Sequence, residues 1–271
     1  SLSNFHFWVF LVGMEGYNGI EGDSMNIDTH LIRRYLNDEP LYSAEEAWIY
    51  RNADPVGQKR HDVVQELCRQ LLDRRWPCFN HALYEALFPS LDTIVKETEI
   101  ILIAAASDVP TYIRMHEGKA YLIIDLIQVA NLTRIVAAMM HVIDNFICLE
   151  TAMRCIAAEW PVSALSYTEK LDWICFRQGL ANWLAWGEDS TVYQFPKGAK
   201  EHASALFKEA YQVSDPTLQH FILSRFPALP FWEQFPTVHG MCRFHEAFLR
   251  GGKPAICALY QKGWRSFGES C

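Results

Sequence analysis

The chain has 271 residues, half of them apolar, so it can bury a substantial core in one large domain or two small ones. A formal charge of −8 and a pI near 5.7, with no Lys/Arg run or basic helix face, argue against a phosphate-tracking surface, and no nucleic-acid partner is expected. Eight cysteines are scattered without a CxxC or zinc-knuckle spacing, several inside apolar helical runs, which predicts buried thiols in a reducing compartment and a cytoplasmic protein.

The opening run from Phe5 to Val12 is apolar, but it lacks a basic flank and is too short to span a bilayer, so neither a secretory signal nor a membrane span is expected. Gly13, Gly16, Gly19 and Gly22 punctuate the polar stretch after it, making residues 1 to 27 an appended N-terminal arm and residues 28 to 271 a single domain. From Asp28 to about Leu87 the pattern is helical. Asp28 or Thr29 caps the first helix, Ser43 with Glu46 forms a capping box, and His61 to Arg75 carries an apolar stripe, so residues 28 to 95 read as a helical cover. The period then changes: Glu99 to Ala106 and Ala120 to Ile127 are short, β-branched and apolar, with Glu117-Gly118 between them, and these are the two strands expected. A long helix starts near Asn131. Helices over Thr168–Trp186, Lys197–Val213, Pro216–Arg225, Thr237–Arg250 and Pro254–Ser266 fill the remainder, with Gly251-Gly252-Lys253-Pro254 as a helix stop followed by Pro at the next helix start. The fold class is therefore α+β and predominantly α, with the sheet and its neighbouring helices in residues 96 to 190 and C-terminal helices in 191 to 271.

On the helix from Asn131, Leu132, Ile135, Val136, Met139, Met140, Ile143, Phe146 and Ile147 fall on one stripe, the expected core face. The opposite face collects Ala137, Ala138, His141, Asp144, Asn145 and Cys148. It is small and polar but carries no Lys, Arg or Glu before Glu150, a pattern that suits a cleft wall or a packing surface better than a solvated face. Two apolar strands, this helix and a later helix holding Phe176-Arg177-Gln178-Gly179-Leu180-Ala181-Asn182-Trp183 complete the pattern.

In that order of elements the chain resembles the gluzincin metallopeptidases, the HExxH zincins whose third zinc ligand stands on a later helix. Ala137-Ala138-Met139-Met140-His141-Val142 aligns with HExxHV, and Gln178-Gly179-Leu180-Ala181-Asn182-Trp183 with EGLAxY. The resemblance implies a zincin-like domain with a small sheet packed on the zinc helix, and the departures from the pattern imply a loss. In HExxH the two histidines share a helical face and bind zinc, and the glutamate is the general base on metal-bound water. Here Ala137 stands for the first ligand, Ala138 for the base and Gln178 for the third ligand, leaving His141 alone. Shifting the register places Val142 at the base and Asn145 at the second histidine, which restores neither. The resemblance thus implies a catalytically degenerate metallopeptidase-like protein without a cofactor, binding a peptide, protein or small-molecule ligand in the inherited cleft. Gln178, on a stripe with Leu171, Ile174, Cys175 and Asn182, needs hydrogen-bond partners there, either His141 or backbone.

Two further segments bear on function. His239 and His245 are six residues apart, which separates them on a helix. The alternative reading is an active hydrolase with a zinc site rebuilt from His141, Asp144 and His239 or His245, and a second alternative is a structural or interaction domain with a filled cleft. Phe226-Pro227-Ala228-Leu229-Pro230-Phe231-Trp232 forms a Pro and aromatic loop suited to rim a cleft or to contact another protein.

Overall fold

The computed structural model describes residues 25–41, 43–52, 59–186, 194–265 and 267–268. Most of the N-terminal arm therefore lies outside the described residues. The elements in chain order are β1 (Asn26–Asp28), α1 (His30–Leu36), α2 (His61–Leu72), α3 (His81–Leu87), α4 (Leu91–Glu97), β2 (Glu99–Ile103), β3 (Thr111–His116), β4 (Lys119–Asp125), α5 (Leu126–Leu132), α6 (Val136–Glu159), α7 (Tyr167–Ala185), α8 (Ala199–Tyr211), α9 (Pro216–Arg225) and α10 (Phe235–Gln261). The fold is α+β and predominantly α, with a small mixed sheet. Contacts divide the chain into two compact units: Ser1–Trp76 with Asp92–Phe146, and Pro77–Leu91 with Ile147–Cys271.

The first unit holds the sheet, ordered β1-β2-β4-β3, in which β1, β2 and β4 run parallel and β3 pairs antiparallel with β4. The two expected strands are the central ones. Ile100 to Ile103 and Leu122 to Asp125 are buried in succession, and strands covered on both faces read as continuous apolar runs. Sequence pattern does not reveal the edge strands. β3 has mixed burial, with Ile113 and Met115 exposed, and closes a hairpin through Glu117-Gly118, while β1 has only three residues, of which Asn26 and Ile27 belong to the segment read as the arm. Leu31, Ile49, Ile101, Ile103, Tyr112 and Ile123 form this unit's apolar cluster, and Trp48 stacks on His116 at 4.1 Å between ring centroids. Ser43 Oγ accepts the Glu46 N–H at 3.3 Å, as one arm of the expected capping box, and donates to the Glu46 carboxylate at 2.7 Å, but the segment they open is a run of turns rather than a helix.

Asp125 ends β4 and sets the start of α5. Fully buried, it accepts backbone N–H bonds from Ala105, Ser107, Ile127 and Gln128, joining the loop after β2 to the first turn of that helix. The single long helix expected from Asn131 is consequently two helices. Asn131 belongs to α5, which packs on β2 and β4. Thr133 is extended (φ −158°, ψ 165°), and its hydroxyl accepts the Ile135 N–H ahead of α6. The break also corrects the core stripe: Met139, Met140, Ile143 and Ile147 are buried, whereas Leu132 and Ile135, at the interruption, are exposed. α6 has the length and hydropathy of a membrane span, but the core helix of a globular protein meets the same test, and it carries Asp144, Glu150 and Arg154 along its length.

The second unit is helical, organised by α7 and α10. Ser166 and Glu169 form a reciprocal capping box at the start of α7, and Asp215 with Pro216 starts α9. Asn80 donates to the Leu184 carbonyl and Tyr84 to that of Cys148, tying α3 into this unit. The two C-terminal helices expected on either side of Gly251-Gly252 are both present as α10, which turns sharply where Gly252 takes φ 60°, ψ −151°, a conformation reserved for glycine.

Candidate functional site

The candidate residues fall in both units, Ala137, Ala138, His141, Asp144 and Asn145 in the first and Gln178, His239 and His245 in the second. In the first turns of α6, Ala137 and His141 are exposed, Ala138 and Asn145 half-buried, and Asp144 buried. Asp144 is held by the Arg74 guanidinium at 2.8 Å, so a cation stands beside the carboxylate that a rebuilt metal site would recruit. The face expected to line a cleft or to pack is therefore exposed at Ala137 and His141 and buried only at Asp144 and Cys148.

In the second unit, α7 and α10 touch backbone to backbone. A Cβ on Gly240 would stand 1.8 Å from the Cys175 carbonyl oxygen, and one on Gly179 2.6 Å from the Gly240 backbone, so only two glycines permit this approach. Beside this contact, the half-buried Gln178 accepts a 2.7 Å hydrogen bond through Oε1 from the hydroxyl of Thr237, itself fully buried. Gln178 thus has a polar partner, but it is the Thr237 side chain, where the sequence reading expects His141 or backbone. Further along, Trp183 Nε1 donates to His245 Nδ1 at 3.3 Å.

Both α10 histidines are internal. His239 lies 3.0 Å from Ser204 Oγ and 3.3 Å from the Gly268 carbonyl, and stacks on Phe207 at 4.7 Å. Burial pushes its pKa down to about 4, and burial also lowers that of His245, so both rings are neutral at physiological pH. Neutral rings with protein partners read as structural elements, His239 between α10 and α8 and His245 between α10 and α7. Among the described residues, no group of three or more His, Cys, Asp or Glu is placed to hold a metal ion.

Gln178 also borders an open cavity of about 500 Å³. Lys170, Trp173, Ile174 and Gln178 of α7 form one wall, and His220, Leu223, Ser224, Phe226 and Pro227 the other. The Pro and aromatic loop therefore rims a cleft, as its composition predicts. In its continuation Phe231 stacks on Trp186 and Trp232 meets the same ring edge-on, each at 5.3 Å between centroids. Trp173 and Ile174 precede Gln178 by one turn and face the same space, a signal present in the helical period. His220 and Leu223 come from α9, none of whose residues is buried, and no local sequence feature marks them as cleft-lining. No protein-family model, curated protein or solved structure matches this chain.

Proposed function

We propose that this protein is a non-catalytic binding module, a degenerate relative of the gluzincin peptidases that holds a peptide or small ligand in the cleft beside Gln178. The observation that carries this reading is the cavity itself. It is open, of ligand size, and lined mainly by apolar side chains, with Gln178, Lys170, His220 and Ser224 as its few polar groups, the composition of small-ligand sites. Leu218 and Phe221, on the same helix as His220 and Leu223, are exposed apolar side chains. The Thr237 hydroxyl occupies one lone pair of the Gln178 oxygen and leaves the amide nitrogen to serve as a donor to a ligand carbonyl. A peptide with an apolar side chain and an accessible carbonyl fits this arrangement. The absence of an HExxH base in either register supports a role in binding rather than hydrolysis. The seven described cysteines, all thiols, support a reducing, cytoplasmic compartment.

Two measurements test the reading. Metal analysis of purified, dialysed protein is expected to find substoichiometric zinc; a full equivalent that disappears in His141→Ala would establish the rebuilt-site hydrolase instead. Ligand-observed NMR with a library of short apolar peptides is expected to yield binders that shift the Trp173 indole signal and are lost in Ile174→Arg. If no peptide perturbs Trp173, the cleft is not a peptide site.

A further inference from the structure

A second cavity in the C-terminal unit carries a charge opposite to that of the protein. It has a volume of about 590 Å³ and is lined by α8 and by both arms of the bent α10. Each helix gives it one continuous stripe: Lys200, Ser204 and Lys208 at four-residue steps on α8, His239 to Arg250 at three- and four-residue steps before the bend, and Ala255, Ala258, Leu259 and Lys262 after it. The turn at Gly252 brings the last two stripes around one space.

Five cations line it, Lys200, Lys208, Arg243, Arg250 and Lys262, against one lining carboxylate, Glu246, which is already paired with Lys200; Glu201 acts on Lys200 and Cys242 as a second nearby carboxylate. This occurs in a chain of net charge −8. Lys208, Arg250 and Lys262 are exposed and have no carboxylate within ion-pair distance among the described residues. Arg243, half-buried, lies over the Phe267 ring at 4.4 Å, which restrains its guanidinium. Gathering like charges around a recess raises the free energy of the empty site and focuses a positive potential that an anion relieves. The other wall is apolar and small, formed by Ala247, Ala255, Ala258 and Leu259, which leaves room for an organic group beside the charged one.

We infer that this cavity binds a small organic anion carrying two or more phosphoryl groups. Five cations less Glu246 and Glu201 leave an excess of three positive charges, more than a single carboxylate neutralises. A mixture of guanidinium forks and mobile ammonium groups suits phosphoryl oxygens. The volume falls in the range of small-ligand pockets, well short of a groove for a polymer. This assignment is independent of the cleft beside Gln178.

The test is calorimetric titration of the full chain with inorganic pyrophosphate at low salt, alongside orthophosphate. One saturable site per chain is expected, tighter for pyrophosphate, and weakening as added salt screens the exposed lysines. Arg250→Gln/Lys262→Gln, at two exposed positions, is expected to weaken binding by about tenfold or more with an unchanged melting temperature, while Arg250→Lys/Lys262→Arg stays within about threefold of the parent. Absence of saturable pyrophosphate binding, or equal binding by the charge-removing variant, overturns the proposal. Phosphatidylcholine vesicles containing phosphatidylserine distinguish a lipid headgroup from a free phosphate: sedimentation with them that is lost in the charge-removing variant overturns the small-ligand assignment in favour of a membrane surface.

Discussion

Replacing Gly240 by alanine tests the α7–α10 contact that organises the second unit. The added Cβ would stand 1.8 Å from the Cys175 carbonyl oxygen and 2.8 Å from its carbon. Ordinary C···O contacts begin at about 3.3 Å, so the two backbones must part by roughly 1.5 Å, and neither can rotate away as a side chain would. Overfilling a packed interior by one carbon costs about 1 to 3 kcal/mol, and a backbone clash sits at or above the upper end of that range. Helix propensity acts in the opposite direction, since alanine in place of a helical glycine stabilises by about 1 kcal/mol. Gly240→Ala should therefore lose about 2 kcal/mol or more. Gly179→Ala, whose Cβ meets the Gly240 backbone at 2.6 Å, needs a smaller displacement and should lose about 1 kcal/mol. Urea unfolding followed by far-UV circular dichroism measures both. If either variant matched or exceeded the parent's stability, propensity would dominate and the helices could not be in backbone contact as described.

Asp125→Ala leaves the N–H groups of Ala105, Ser107, Ile127 and Gln128 without their acceptor in a fully buried position, so a loss of about 3 to 5 kcal/mol is expected from chemical denaturation, with Asp125→Asn intermediate because one acceptor oxygen remains. Thr237→Val removes the hydroxyl that Gln178 accepts and should cost about 1 to 2 kcal/mol; the double variant with Gln178→Leu should cost less than the two single losses combined, and additivity would show that the pair is not coupled. His239 predicts the acid limb of stability. Its ring takes a proton near pH 6.5 when unfolded but only near about 4 when folded, because burial, with Arg243 and Lys208 nearby, outweighs the bond to Gly268 and the charge of Glu246. The unfolded chain therefore binds more protons between those values, and stability should fall by up to about 3 kcal/mol as pH drops from 6.5 to 4, a limb that His239→Gln should flatten in pH-dependent urea titrations.

How much of this fold is legible in the sequence depends on the range over which each signal acts. β2 and β4 announce themselves because they are covered on both faces, and α2 and α8 because one amphipathic period runs their length, while α7 and α9 are marked by their starts, Ser166 with Glu169 and Asp215 with Pro216. β3 escapes because an edge strand with exposed Ile113 and Met115 has no continuous apolar run, and β1 because three residues carry no period at all. The break between α5 and α6 turns on Asp125 and Thr133, polar residues inside an apolar stretch, whose capping role depends on which backbone N–H groups surround them in space. Gln178 stands out from its stripe, but its partner Thr237 is 59 residues away, and only the Gly179–Gly240 approach puts the two side chains in reach.

Charge behaves in the same way at the basic cavity. Lys200 and Lys208 on α8 and Arg243 and Arg250 on α10 each repeat on one helical face, a pattern visible in the sequence but unremarkable on either helix alone. A net charge of −8 excludes a basic surface as a global statement and misses a local one, because net charge averages over distances much longer than the Debye length of about 8 Å within which exposed charges act on a ligand. Gly252 decides the outcome: straightening α10 there would carry Lys262 and the alanine wall away from Arg243 and Arg250, and the cations would disperse into an ordinary solvated surface. The glycine pair that reads in sequence as a helix stop is therefore the residue pair on which the proposed anion site depends. A Gly252→Ala substitution, strained at φ 60° and ψ −151°, should weaken pyrophosphate binding even though it removes no charge.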